Sequence, residues 1–272
     1  MIRIIFLMLL ITNMPLMHVE GDESVVIPSK EKFHVFLLAG QSNMAGRGEV
    51  TSEDKTTHPR VLSLSREGKW VPAVDPLHWD KEFAGVGPGK SFALELVKKD
   101  QDITIGLVPA ACGGSPISRW EPGEYHDQTK SYPWDDAITR TRLALEDGTL
   151  KGILWLQGES DGTSERAPLY KEKLRSLIQR FRIELNAEEI PFIIGQLGQF
   201  PDKPWSEARK LVNDSHIEIA NSSDKVSLVF SEGLTCKNDN THFNAESMKE
   251  YGKRYAEAYM KMLDSNSSLF AH

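Results

Sequence analysis

Five short apolar runs alternate with longer amphipathic stretches along this chain, and this alternation is what most constrains its fold. The apolar runs are typical of buried strands and lie at 35–39, 103–108, 152–157, 192–197 and 226–230. The amphipathic stretches predict helices at 89–99, 133–146, 165–186, 205–221 and 244–263. Repeated strand–helix units favour a mostly parallel sheet with helices on both faces. Val61–Leu64 and Trp70–Pro72 predict an inserted hairpin.

Composition is that of an ordinary globular domain. The 272 residues are 40% hydrophobic and 26% charged, and no linker or repeat interrupts them, so we expect one domain over residues 30–265. The net charge is -7 and the 32 lysines and arginines are scattered. This pattern argues against a nucleic-acid partner, which needs clustered cations, and favours an uncharged substrate.

The first residues have the pattern of an export signal. A basic Arg3 precedes the apolar run Ile4–Ile11, which is too short to span a bilayer comfortably. We therefore expect a signal peptide at residues 1–21, a secreted or periplasmic protein and no integral membrane span after processing.

Ser42 is the candidate nucleophile. It follows the first apolar run inside the segment Gly40–Gly46, where a tight turn can expose its hydroxyl at a helix start. Taken alone, the segment favours a helix cap, with Ser42 or Asn43 accepting a backbone N–H. Asp239 and His242, three positions apart, add a carboxylate and an imidazole, the groups that activate a serine in esterases.

Two further segments offer donors for an oxyanion. Gly113 and Gly114 follow the second run and allow close backbone approach, and Gln157 ends the third run with an amide side chain. The Ser42 N–H, one glycine N–H with Gly114 favoured, and the Gln157 amide would form the hole. Plain turns and loop contacts are the alternative for both segments.

A relaxed phosphate-loop pattern at Ala84–Ser91 raises a nucleotide-binding alternative. No buried strand precedes it, and Pro88 removes one N–H from the cradle, so a helix start is the better interpretation. The sequence has no HExxH or CxxC pattern, and we expect no metal and no cofactor.

Six ordered motifs resemble the carbohydrate esterase family six and sialate O-acetylesterase branch of the SGNH hydrolase superfamily. They are GQSNMAGRG at 40–48, DPLHWD at 75–80, GPGKSFA at 87–93, CGGSPISRWEPG at 112–123, WLQGESD at 155–161 and DNTH at 239–242. The resemblance implies a three-layer α/β/α sandwich of flavodoxin-like topology. It also implies a Ser42 nucleophile, a His242 base, an Asp239 orienting group and oxyanion donors from Ser42, the glycine pair and Gln157.

The resemblance further implies hydrolysis of O-acetyl esters of carbohydrates such as xylan or sialic acid. Gln41, Asn43, Gly113, Glu159 and Trp120 are the candidate substrate contacts, and His78, Trp79, Arg47, Arg119 and His126 could also line a sugar site. A noncatalytic carbohydrate-binding protein and a lipase or thioesterase remain the alternative functions.

Cys112 and Cys236 both lie on segments expected near the site, so a disulfide between them is one possibility and two free thiols the other.

Overall fold

A seven-stranded sheet forms the centre of the computed structural model, which describes residues 25–269. Its strands are β1 (Phe33–Gly40), β2 (Val61–Leu64), β3 (Trp70–Pro72), β4 (Thr104–Pro109), β5 (Thr149–Leu156), β6 (Phe192–Gly195) and β7 (Val226–Val229). The helices are α1 (Ser42–Ala45), α2 (Gly89–Lys99), α3 (Pro133–Asp147), α4 (Ala167–Leu185), α5 (Glu207–Asn221) and α6 (Ala245–Leu269). Every expected strand and helix is present.

The strand order is β3-β2-β4-β1-β5-β6-β7, and only β3 runs antiparallel to its neighbour. When the β2–β3 hairpin is set aside, the remaining strands follow the flavodoxin-like order. The expected three-layer α/β/α fold and the hairpin are therefore confirmed.

Alternate residues of β1 divide the core into two halves. Phe33, Val35 and Leu37 pack with α3, α4 and α5 on one face of the sheet. Phe36 and Leu38 pack with α2 and α6 on the other face. Both faces of this strand are covered, which is why it reads as a continuous apolar run rather than as an alternating one.

The predicted signal peptide, residues 1–21, lies outside the described residues. Within residues 25–269, no helix combines the length and the apolar character needed to cross a bilayer.

Cys112 and Cys236 are both free thiols, so the possibility of a disulfide between them is wrong. Burial raises the pKa of the Cys112 thiol to about 12, which leaves it protonated and unreactive.

Candidate active site

Four segments of the chain meet at the carboxyl edge of the sheet. Ser42 follows β1, the glycine pair Gly113–Gly114 follows β4, Glu159 follows β5, and the loop with Asp239 and His242 connects β7 to α6. Because β1 lies between β4 and β5, the first three segments are neighbours in space although far apart in sequence. Ligands of open parallel sheets bind at this edge.

Gly40 ends β1 in a conformation that brings two backbones together. Its φ is 136°, and an added β-carbon would stand 2.2 Å from the carbonyl oxygen of Leu156 on β5. The next N–H, that of Gln41, donates to the same carbonyl at 2.9 Å. The close approach of β1 and β5 therefore requires glycine and fixes where α1 and Ser42 begin.

Ser42, His242 and Asp239 form a continuous hydrogen-bonded chain. Nε2 of His242 lies 2.9 Å from Oγ of Ser42, and Nδ1 lies 2.7 Å from Oδ2 of Asp239. An ionised carboxylate can only accept, so Nδ1 carries the imidazole proton and Nε2 is left to accept from the serine hydroxyl. The structure thus brings together the three residues expected to do the chemistry.

The second oxygen of Asp239 organises its own loop. Oδ1 accepts the backbone N–H groups of Thr241 and His242, both at 2.9 Å. Partial burial would raise the pKa of the Asp239 carboxyl, but the hydrogen bonds from the backbone and ring of His242 and from Thr241 outweigh it and hold that pKa below its usual range. The carboxylate is therefore ionised where the imidazole needs a charged partner.

Asn43 is a fully buried residue, although the sequence marks it as a substrate contact. Its Nδ2 donates to Glu159 Oε1 at 2.5 Å and to the Thr241 carbonyl at 3.2 Å, and its Oδ1 accepts the Phe243 N–H at 3.2 Å. The expectation of a substrate contact is corrected here, because both amide hydrogens and the carbonyl oxygen already have protein partners.

Gln41 has a mainly internal role as well. Its Oε1 accepts the N–H groups of Gly158 at 3.4 Å and Ser160 at 3.3 Å, which joins the segment after β1 to the segment after β5. The side chain still lines the cleft, at 3% exposure.

The two glycines after β4 differ in what their N–H groups do. Gly113 donates to Asp80 Oδ2 at 2.8 Å, and this carboxylate also holds a buried ion pair with Arg47 at 2.6 Å. Gly114 has a φ of 80° and, within residues 25–269, its N–H has no protein acceptor. The same is true of the Ser42 N–H. Gly114 is thus the glycine free to bind a ligand, and Gly113 is not.

Gln157 does not face the cleft, and the expectation that it donates to an oxyanion is corrected. The residue is fully buried, and its Nε2 donates to the Ser115 carbonyl at 3.1 Å and to Asp161 Oδ2 at 2.5 Å. Its Oε1 accepts from the Tyr170 hydroxyl at 2.9 Å. With both amide hydrogens occupied, Gln157 links loops beneath the site.

Trp120 is a core residue rather than a sugar platform. It is fully buried, its indole N–H donates to Ser115 Oγ at 3.0 Å, and its ring meets Trp155 edge to face at 5.0 Å between centroids. His78 and Trp79 line a separate cavity of about 370 Å³ whose lining does not include Ser42.

The cleft at Ser42 has a volume of about 320 Å³, and Phe83 and Arg209 are among the lining side chains that the sequence patterns did not mark. Phe83 stands at its rim with 69% of its surface exposed and the Arg47 guanidinium 5.2 Å from its ring centre. Arg209 reaches the cleft from α5, with its stem against Gly162. Neither side chain belongs to a local motif, so only the fold reveals them.

Lys90 has a structural role away from the cleft lining. Its Nζ donates to the carbonyls of Asp54 at 2.6 Å and Thr56 at 2.7 Å. No strand leads directly into α2. The lysine of the phosphate-loop pattern is therefore occupied, and the nucleotide-binding alternative is not supported.

The geometry of the site is consistent with the family whose profile matches this chain. The profile of the family described as "Carbohydrate esterase, sialic acid-specific acetylesterase" matches residues 32–261. The chain belongs to this family. The resemblance expected from the six motifs is confirmed, and so is the expectation that the protein is a carbohydrate esterase.

Individual relatives extend this family match. A probable carbohydrate esterase of Arabidopsis thaliana is 33% identical over 250 residues, which cover 83% of this chain and 90% of the relative. A solved Arabidopsis thaliana structure superposes with a TM-score of 0.75 at 29% identity, covering 86% of this chain and 99% of the other. NanS superposes with a TM-score of 0.71 at 18% identity, covering 88% of this chain and 100% of its own, and so shares the fold.

Proposed function

We propose that this carbohydrate esterase removes O-acetyl groups by a serine mechanism in which Ser42, His242 and Asp239 act together. The observation that carries the proposal is the unbroken chain Ser42 Oγ–His242–Asp239, with contacts of 2.9 Å and 2.7 Å, at the bottom of an open cleft. Each group has the polarity that its role needs: hydroxyl donor, imidazole acceptor and ionised carboxylate.

In the first half of the reaction, Ser42 Oγ attacks the acetyl carbonyl carbon while its proton passes to Nε2 of His242. The carbonyl oxygen becomes an oxyanion, and the free N–H groups of Ser42 and Gly114 are the donors that support this role. Collapse of the tetrahedral intermediate breaks the ester bond, and the sugar oxygen leaves with the proton from His242. An acetyl-serine remains.

In the second half, water attacks the acetyl-serine carbon as His242 takes a proton from it. The second oxyanion collapses, Ser42 regains its proton from the imidazolium, and acetic acid leaves and loses its remaining proton to the solvent. Asp239 remains ionised throughout and stabilises the charged ring at each step. No group beyond those of the cleft is required for the balance of atoms and protons.

For the substrate, we favour a sugar that carries a carboxylate, such as sialic acid, over neutral xylan. The support is Arg209, a residue that lines the cleft and has no acidic partner among the described residues. The exposed ring of Phe83 offers a surface on which a sugar can stack. This differs from the uncharged substrate that net charge alone favours, because a local cation, not total charge, faces the ligand.

The mechanism is tested with 4-nitrophenyl acetate and with O-acetylated sialic acid and xylan. Ser42→Ala is expected to abolish turnover and keep the thermal unfolding midpoint. Retained turnover in this variant would refute the role of Ser42. Sugar binding by the wild type without hydrolysis would favour the noncatalytic alternative, and a preference for long-chain acyl esters would favour a lipase.

The substrate preference is tested with O-acetylated sialic acid and its neutral methyl ester, which share the same leaving alcohol. Arg209→Gln is expected to lower kcat/KM for the acid at least tenfold, through KM, and to leave the methyl ester and 4-nitrophenyl acetate unchanged. Equal effects on acid and methyl ester would contradict a carboxylate contact.

Export is a separate proposal. The basic and apolar start of the chain supports secretion or periplasmic localisation, and N-terminal sequencing of the mature protein tests it.

A further inference from the structure

Asn43, the residue after the nucleophile, holds the backbone on both sides of His242. Its Nδ2 donates to the carbonyl of Thr241, and its Oδ1 accepts the N–H of Phe243, both at 3.2 Å. The imidazole therefore cannot shift along the loop without breaking one of these contacts. The nucleophile and the restraint on its base are adjacent residues of α1.

Glu159 reinforces the orientation that the two loop contacts give the Asn43 amide. The two loop contacts need opposite ends of the amide, because one partner is a carbonyl and the other an N–H. Glu159 Oε1 accepts from Nδ2 at 2.5 Å, so a flipped amide would turn its oxygen toward a carboxylate. The carboxylate thus favours the one orientation in which Asn43 satisfies both sides of His242.

The other oxygen of Glu159 is buried and has no hydrogen-bond partner within residues 25–269. No cation pairs with this side chain in the same residues. An incompletely satisfied buried carboxylate opposes folding. Its bond to Asn43, at the edge of the cleft that holds Ser42, is therefore the contact that gives this carboxylate a role.

We propose that Glu159 is a positioning residue that acts through Asn43 to hold His242 in line with Ser42. The inference rests on the serine mechanism proposed above and adds two residues to it. Glu159 acts by the hydrogen bond that it accepts, and its charge is secondary. The sequence marks both residues as substrate contacts, and this inference replaces that role with a structural restraint on the base.

The experiment compares Glu159→Ala, Glu159→Gln, Asn43→Ala and the double alanine variant, with kcat and KM measured on 4-nitrophenyl acetate. Glu159→Gln removes the charge but keeps an acceptor, because the two loop contacts still hold the Asn43 amide and the glutamine can turn its own oxygen toward Nδ2. The matched control is Asn213→Ala, since Asn213 is a buried asparagine whose Oδ1 accepts from Gln196 at 3.0 Å, outside the His242 loop. Circular dichroism and thermal unfolding report whether each variant is folded.

Glu159→Ala and Asn43→Ala are each expected to lower kcat at least tenfold with little change in KM. The kcat of the double variant is expected within about threefold of that of the slower single variant, because both changes remove the same Glu159–Asn43 interaction. Glu159→Gln is expected within about threefold of wild type, as is Asn213→Ala.

Three results would overturn the inference: a Glu159→Ala variant with wild-type kcat, losses that multiply in the double variant, or a Glu159→Gln variant as slow as Glu159→Ala. If Asn43→Ala does not fold, the two Glu159 variants decide the matter alone. Failure of the serine mechanism itself is distinguished by Ser42→Ala, which retains turnover only in that case.

Discussion

Replacing Asp239 with asparagine would move the imidazole proton of His242 from Nδ1, where the present geometry holds it, to Nε2. Oδ1 accepts two backbone N–H groups, from Thr241 and His242, so the asparagine oxygen must occupy that position. The new NH₂ group then faces Nδ1 of His242 and donates to it. This moves the imidazole proton to Nε2, where it blocks acceptance of the Ser42 proton.

The size of the effect follows from the same contacts. Turning the amide to restore the active tautomer would lose two backbone hydrogen bonds, about 1 kcal/mol each. The Asp239 side chain is 44% exposed, so its attraction for the imidazolium is close to the value of about 1 kcal/mol in water. The sum, about 3 kcal/mol, predicts a fall in kcat of roughly two orders of magnitude.

The assay is steady-state hydrolysis of 4-nitrophenyl acetate, with KM expected to remain near the wild-type value. Asp214→Asn serves as the control because it removes an equal charge from an exposed position on α5. A kcat for Asp239→Asn within about threefold of wild type, in a folded protein, would refute the tautomer argument.

Two further predictions concern a glycine and a buried acid. Gly114→Ala is expected to lower kcat at least tenfold, because its φ of 80° disfavours a side chain and a shift of the backbone would move the free N–H. Gly123→Ala is the control for backbone strain, since Gly123 has a φ of 75° and open space around it, and this variant should keep its activity. Burial raises the pKa of the Asp75 carboxyl to about 7, so this group opposes folding increasingly as pH rises from about 4 through about 7. Asp75→Asn should therefore be more stable than wild type at about pH 8, and this advantage should be smaller at about pH 5. The free energy of unfolding in urea measures both. A variant less stable than wild type at both pH values would contradict the argument.

Much of the fold could be predicted because its signals are local. The helix over 89–99 is found with those bounds, since its apolar spacing and the preceding Pro88 both act within a few residues. The buried strands were recognisable as continuous apolar runs. Parallel topology then placed Ser42, Gly114 and the His242 loop at one edge.

What the sequence could not reveal depends on partners distant in the chain. Gln157 lies at a strand end, where its amide could donate to an oxyanion, but hydrogen bonds with Ser115 and Tyr170 hold the amide inside the protein. Trp120 has the aromatic side chain on which a sugar could stack, yet the fold packs it on Trp155. Arg209 has no motif of its own and enters the cleft only because of how α5 lies on the sheet.

The distance of 200 residues between Ser42 and His242 has a consequence for biosynthesis. Ser42 follows the first strand to leave the ribosome, whereas His242 emerges just before the final helix. A nascent polypeptide, or one that ends before His242, thus holds the hydroxyl without its proton acceptor. Under the proposed serine mechanism, ester cleavage must await synthesis of the His242 loop and its docking beside Ser42.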